Sequence, residues 1–346
     1  MTLSAAVIGV GYLGKFHAQK YAAIDDCDLI AVADPDSEAA TACADSLGAR
    51  AVADYRELLG KVDVVSIAAP TRLHHAIARD FLLHGAHVLV EKPITVTLDE
   101  ADELVDIAAD KNLVLQVGHL ERFNPALRAA DELLTAPRFI ETHRLAPFNP
   151  RGTDVDVVLD LMIHDIDIIL DIVNSPVTRI DASGTPVLTA STDIANARLQ
   201  FANGCVANVT ASRVSTRTER RMRFFQHDSY LAVDFHGRRL SVYRKGEEEM
   251  YPGIPEVISH QQEFAKSDAI LAEVESFVAA VRGAGQPLVS GEDGRRALAT
   301  AIHITGLFAA SPDVLPGSAD DPGADPGADP GADPGADPGS DPAITH

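Results

Sequence analysis

Basic residues, cysteines and long apolar runs are all scarce in this chain of 346 residues. Lysine and arginine number 29 against 51 aspartates and glutamates, a formal net charge of −22. That balance argues against nucleic acid or an anionic membrane surface as a partner. Cysteine occurs three times, at Cys27, Cys43 and Cys205. An odd number with no metal-type spacing reads as buried reduced thiols, with no metal and no disulfide framework, and the expected compartment is the cytoplasm. No apolar run reaches membrane-spanning length. The opening stretch, MTLSAAVIGVGYLG, has no basic region ahead of its apolar residues, so no signal peptide is expected.

Hydrophobic residues make up 46% of the chain, enough for two domains with cores of their own. Eight aspartates and no lysine or arginine lie from Ser311 onward, which leaves about −14 on the first 310 residues. An anionic ligand would therefore need a local basic pocket. The end of the chain repeats Pro-Gly-Ala-Asp. It offers no apolar face, and its proline and glycine oppose ordering, so 312–346 is expected to be a disordered tail.

Apolar runs at 3–10, 28–34, 63–69, 86–91 and 112–118 have the near-continuous character of strands covered on both faces. Between them lie segments with apolar residues at helical spacing. This rhythm predicts an α/β domain over 1–118, a doubly wound Rossmann sheet with right-handed crossovers. Beyond 119 come helices at NPALRAADELL and LDLMIHDIDIILDIV, then longer alternating stretches. NG at 203–204 and HG at 236–237 read as hairpin turns. The expectation for 119–311 is an α+β domain with a large, mostly antiparallel open sheet and helices on one face.

Gly9, Gly11 and Gly14, with Tyr12 and Leu13 between them, have G-x-G-x-x-G spacing at the junction of the first strand and first helix. The first glycine permits the turn, the second lets a pyrophosphate approach the backbone, and the third allows close helix–strand packing. Asp34 ends the second strand 20 positions after Gly14. A carboxylate there accepts both ribose hydroxyls and repels a 2′-phosphate, which favours NAD over NADP; the alternative is a helix cap. Pro70 forces a turn near the switch point of the sheet, followed by His74 and His75.

In HGAHVLVEKPIT a buried strand ends on Glu91 and Lys92 ahead of Pro93. Lys92 is either a solvated strand end or a group placed beside a bound molecule. Asp160 and His164 lie four apart in a helical pattern, hence on one face. If SRVSTRTERRMRFF is a strand, Arg213, Arg217, Arg221 and Arg223 share a face. Their counter-charge would be a diphosphate, a neighbouring subunit or water. Arg151 is a further candidate for a ligand phosphate or hydroxyl.

Taken in order, GVGYLGKFH with His17, APTRLH, Glu91-Lys92-Pro93, GHLERFNP from Gly118 to Pro125 and DLMIH from Asp160 to His164 resemble the Gfo/Idh/MocA oxidoreductases. The match runs from residue 3 to about 310. The stretches FNPRGTDVDVVLD and HDSYLAVDF depart from the family's more glycine-rich forms and suggest a specialised substrate wall. The resemblance implies an NAD-binding Rossmann domain with Pro70, His74, Glu91 and Lys92 at the cofactor. It also implies Lys92 beside the nicotinamide, His164 as general base, Asp160 as its orienting partner or a sugar ligand, and Arg122 near the substrate. It further implies a homodimer or homotetramer formed through the second sheet. The form of VGHLERFNPA and the stretch around Asp160 is most similar to the branch that oxidises the 3-hydroxyl of UDP-N-acetylglucosamine, feeding an aminotransferase for lipid A-type glycolipids. An inositol or polyol dehydrogenase is the alternative within the family, and a non-catalytic dinucleotide sensor the alternative outside it.

Overall fold

Six short parallel strands lie side by side in the order β3-β2-β1-β4-β5-β6. They are β1 (Leu3–Ile8), β2 (Cys27–Ala33), β3 (Arg50–Val52), β4 (Val64–Ile67), β5 (His87–Glu91) and β6 (Leu115–Gly118). The computed structural model describes residues 2–149 and 155–310, with the side chains of 309 and 310 left aside. The predicted Pro-Gly-Ala-Asp tail and Arg151 lie outside the described residues. Every residue of β4 and β6 is buried, as the continuous apolar runs demanded of strands covered on both faces. Helices α1 (Tyr12–Ala23), α2 (Ser37–Leu47), α3 (His74–Leu83) and α4 (Leu98–Asp110) make the crossovers. The sequence pattern did not reveal β3, which is only three residues long.

Helix ends follow local chemistry. Thr97 and Glu100 close a capping box on α4. Asp36, not Asp34, caps α2, accepting from the backbone of Glu38 and Ala39. The alternative reading of Asp34 as a helix cap is thereby removed.

The second sheet has eight strands in the order β14-β13-β12-β11-β7-β10-β9-β8. They are β7 (Phe139–Leu145), β8 (Val177–Thr185), β9 (Ile194–Phe201), β10 (Val206–Ser212), β11 (Glu219–Gln226), β12 (Ser229–Asp234), β13 (Arg239–Tyr251) and β14 (Ile254–Glu263). All neighbours pair antiparallel except β7 with β10. Burial alternates strictly along β7 and β9, because one face meets helices and the other does not. The covered face packs on α5 (Pro125–Asp131), α6 (Ile163–Val173) and α8 (Gly291–Ala310).

The last two helices return to the first sheet. Val274 and Phe277 of α7 (Ala269–Val281) join the core beside α1. Leu298 of α8 enters the other α/β core, while its neighbours Ala297 and Ala301 enter the core under the second sheet. Residues up to Ala310 accordingly form one compact unit. The expected boundary at 118/119 marks a change of sheet, and the chain after it still contributes to both cores.

The arginine-rich stretch does not form one strand. The chain leaves β10 at Ser212, passes the end of β7 and begins β11 at Glu219 on the other side. Period-two alternation does not carry across that crossing. Arg213 is buried on Asp193 (2.8 Å); Arg217 pairs with Glu219 (3.3 Å); Arg223 pairs with Glu141 (3.0 Å) on the uncovered face.

Candidate active site

The first strand and helix meet in a turn that only glycine fits. Gly9 has φ +87°, and a Cβ on Gly14 would lie 1.8 Å from the Gly9 carbonyl oxygen, whereas one on Gly11 would meet nothing within 4 Å. Gly14 therefore serves packing and Gly11 leaves open space. Gly11 is also the N-cap of α1, with no side-chain cap and no acidic residue in the first turn. Those amide donors are free to meet phosphate oxygens. They open onto a cleft of about 1000 Å³ walled by Gly9, Gly11, Asp34, Tyr55, Pro70 and Arg72 among others. The residues present fit an NAD molecule.

Asp34 is fixed by its own backbone surroundings. Its carboxylate accepts from Val10 N–H (2.8 Å) and Asp36 N–H (2.9 Å), which ties the glycine turn to the end of β2. Tyr12 is exposed, against Phe16 edge to face, and Leu13 lines the two cavities beyond the cleft. We expect Asp34→Asn to raise KM for NAD about tenfold, the order of one lost charged hydrogen bond, and to reduce discrimination against NADP by a similar factor. Steady-state kinetics with both cofactors checks this; an unchanged KM for NAD would remove Asp34 from the ribose site.

The cleft continues inward. A second cavity of about 430 Å³ shares Pro70 and Arg72 with it and adds His74, Glu91, Lys92, Pro93 and Asp160. A third, about 450 Å³, shares Leu13, Glu91 and Lys92 and adds Glu121, Arg144 and His164. Lys92 thus stands on the wall between the second cavity, which continues the cofactor cleft, and the inner chamber. Its Nζ donates to the Asp160 carbonyl (2.6 Å) and lies 3.4 Å from the Asp160 carboxylate. Burial lowers its pKa, with Asp160 and Glu91 opposing. His74 contributes from behind, its ring nitrogens facing the carbonyls of Pro93 (2.9 Å) and Ala69 (2.7 Å), and so braces the turn after β4 against the one after β5.

His164 shares the inner chamber with Lys92. Its Nδ1 is buried with no partner among the described residues, and His119 stands edge-on at 6.0 Å between ring centroids. Burial, then the positive charges of Lys92 and Arg144, hold its pKa well below the ordinary histidine value. His164 is therefore neutral at physiological pH. Burial also takes His119 down to about 3.

Asp160 and His164 share no hydrogen bond among the described residues; Asp160, on a π-helical turn over Val158–Met162, meets Lys92 instead. Arg122, expected near the substrate, reaches Asp171 (2.8 Å), Asp167 (3.6 Å) and the Leu288 carbonyl (3.2 Å) instead. It does not line the chamber. Arg122 belongs to the short 3₁₀ turn Leu120–Phe123 and is buried there against α6. Burial raises Asp167 to about 7 even with Arg122 close by.

The residue that does occupy the floor, Arg144, escaped the sequence reading. It is 3% exposed on its side chain, grips Asp165 with two nitrogens (3.0 and 2.7 Å) and Glu121 with a third (2.8 Å). The inward phase of FIETHRL carried the signal, since Ile140 and Thr142 share its face.

Beneath Glu91 lies a buried chain of polar groups. His17 Nε2 is 2.9 Å from Glu91 Oε1 and 4.0 Å from Glu273 Oε2; Ser66 stands between His17 (3.3 Å) and Tyr21 (2.9 Å). Both Glu273 oxygens are buried with no hydrogen-bond partner among the described residues. Burial and Glu91 push its pKa well above the usual carboxylate range. The folded chain thus keeps a proton that the unfolded chain releases above about pH 4.5. That stabilisation is complete below pH 4.5 and is lost as pH rises toward the folded value. Glu273→Gln should remove this slope, with a Tm gain at pH 8 that exceeds the change at pH 5 by about 2 °C or more. Equal shifts at both pH values would mean that Glu273 is ionised in the fold.

Comparison with known proteins bears on these residues. Residues 3–119 match a family model described as "Oxidoreductase family, NAD-binding Rossmann fold", and 137–231 match "GFO/IDH/MocA C-terminal domain". UDP-N-acetylglucosamine 3-dehydrogenase of Acidithiobacillus ferrooxidans is 42% identical over 303 residues, 87% of this chain and 96% of that one. A solved structure of that enzyme superposes with a TM-score of 0.83 at 40% identity, covering 90% of this chain and 99% of the other. Inositol 2-dehydrogenase of Rhizobium meliloti is 26% identical over 324 residues, 87% of this chain and 95% of that one. The scyllo-inositol dehydrogenase of Lactobacillus casei, solved with NAD(H) and scyllo-inositol bound, shares the fold at a TM-score of 0.74 and 21% identity, covering 90% of this chain and 98% of the other.

Proposed function

This chain belongs to the Gfo/Idh/MocA oxidoreductases, NAD-binding enzymes, and from that premise we propose that it oxidises the 3-hydroxyl of UDP-N-acetylglucosamine to the 3-keto nucleotide sugar. The observation that carries the reading is the position of Lys92, on the wall between the cavity that continues the dinucleotide cleft and a chamber it shares with His164. The 42% identity to UDP-N-acetylglucosamine 3-dehydrogenase across nearly the whole chain supports the substrate.

Removing hydride from a secondary alcohol requires its proton to leave as well. NAD, when bound, supplies the hydride acceptor. The Lys92 ammonium, steadied by the Asp160 carbonyl, donates to the substrate oxygen and stabilises the negative charge that develops there. Neutral His164 takes the hydroxyl proton. Its depressed pKa makes it a weak base, but loss of hydride acidifies the hydroxyl and supplies the drive. Arg144, held on Asp165 and Glu121, gives the chamber a fixed floor. Asp160 acts through Lys92, as its anchoring partner.

No helix among the described residues is long and apolar enough to cross a membrane. The three cysteines are free thiols, which suits a reducing compartment, the cytoplasm in this proposal. The uncovered sheet face carries a run of aromatic contacts from Phe139 through Phe225 and Tyr230 to Tyr243, and we propose that a second copy covers it. Purified protein mixed with NAD and either UDP-N-acetylglucosamine or myo-inositol tests the substrate by the absorbance of reduced cofactor. Reduction with the nucleotide sugar is expected. Reduction with inositol alone would transfer the site to the polyol branch.

A further inference from the structure

The mouth of the inner chamber is basic in a way that a neutral polyol would not use. Five cations line the chamber, Lys92, Arg144, Arg220, Arg238 and Lys266, against two carboxylates, Glu91 and Glu121. Lys92 faces the cofactor side, and Arg144 is neutralised by Asp165 and Glu121. Glu91 is engaged by His17. What remains is Arg220, Arg238 and Lys266, whose one carboxylate contact among the described residues is a distant share of Glu121 on Arg220 (3.4 Å). This occurs in a chain of net charge −22, where unspent positive charge facing a cavity is against the general trend.

The three come from different segments that the fold fastens together. Arg220 is the cross-strand neighbour of Arg144 on the inward face, opposite in phase to Arg221 and Arg223. Arg238 is the last residue of the β12–β13 turn, which Asp234 closes by accepting from Gly237 N–H (2.9 Å). Its φ of +49° is a left-handed backbone on a non-glycine residue, a conformation that costs about 1 kcal/mol and is found where surroundings enforce it. The surroundings here are reciprocal: Phe264 N–H donates to the Arg238 carbonyl (2.9 Å), and Arg238 Nε donates to the Phe264 carbonyl (3.3 Å). That pair of bonds fixes the segment bearing Lys266 beside Arg238. Lys266 itself is exposed, with no salt-bridge partner among the described residues.

Resting on the substrate reading above, we infer that Arg220, Arg238 and Lys266 form the subsite for the diphosphate of the nucleotide sugar, at the outer end of the chamber whose inner end holds Lys92 and His164. Guanidinium forks and an ammonium suit a pair of phosphates, and the separation along the chamber leaves the sugar ring between diphosphate and cofactor. The subsite also selects: a free polyol has nothing to offer it.

Uridine diphosphate is the probe, titrated by calorimetry into the NAD-loaded chain. Arg238→Gln and Lys266→Ala should each weaken it about tenfold, and together more, with affinity falling as salt is raised. KM for UDP-N-acetylglucosamine should rise in parallel while kcat changes far less and NAD binding stays as in the wild type. Unchanged affinity for uridine diphosphate in the double variant, with UDP-N-acetylglucosamine still oxidised by the wild type, would overturn the subsite and leave the substrate reading standing. Failure of the wild type to bind uridine diphosphate or oxidise any nucleotide sugar, with inositol oxidised, would overturn both.

Discussion

Lys92→Ala should lower kcat/KM about 10³-fold, the effect of removing one preorganised donor from a developing oxyanion, with most of the loss in kcat. NAD affinity should change little, because the contacts proposed for the pyrophosphate and ribose lie in the cleft of Gly11 and Asp34, which Lys92 does not line. Two arguments set the size. Lys92 is the cation at the junction of the second cavity and the chamber, so water replacing it has no equivalent charge. Its removal also leaves the Asp160 carboxylate, which lines the adjoining cavity, without its cation, which adds repulsion toward an alkoxide. Lys92→Arg should not restore activity, since a planar fork cannot take the place of a compact ammonium bonded to the Asp160 carbonyl. Circular dichroism and Tm identify any variant that fails by unfolding. A folded Lys92→Ala enzyme with near-normal kcat would remove Lys92 from the chemistry.

His164→Asn should cost 10²–10⁴-fold in kcat, roughly the range for loss of a positioned general base. The pH profile gives a second, independent signature. Because burial and neighbouring cations hold His164 well below its ordinary value, the acid limb of wild-type kcat/KM should fall well below pH 6.5. The sign follows from the neutral ring being the active form: activity is full above the pKa and is lost as pH drops through it. His164→Asn should abolish that limb. An acid limb near pH 6.5 or higher that persists in the variant would assign the base elsewhere.

Much of the fold was legible because its signals are local. Continuous apolar runs marked five of the six parallel strands, and the glycine spacing marked the turn from β1 to α1. The three-residue β3 is too short to show a period. Residues 245–263, most of the β13–β14 hairpin, are largely exposed and lack the alternation that a half-buried strand displays.

The candidate site was legible only in part, for the same reason. Lys92, Asp160 and His164 sit in short motifs and could be named. Their partners depend on folding at a distance. Arg144 reads in the sequence as one basic residue among polar neighbours, and only the pairing of β7 with β11 reveals that it and Arg220 share a face with Glu121 between them. The arginines chosen from the sequence failed on a point of phase. Assuming one unbroken strand from 213 to 223 selected the odd-numbered residues, and the residue that faces the chamber is Arg220. Four-residue spacing placed Asp160 and His164 on one face, with Asp160 orienting the imidazole or binding the sugar; it could not show that Lys92, 68 positions earlier in the chain, would be the partner of Asp160.

The account rests on hydride leaving one named carbon in a chamber shared by Lys92 and His164. UDP-N-acetylglucosamine carrying deuterium at C3 tests it in a single turnover with unlabelled NAD, the reduced cofactor being weighed by mass spectrometry. The account predicts reduced cofactor heavier by one deuterium, formed by the wild type and not by Lys92→Ala. Reduced cofactor without the label, or none formed, would contradict it.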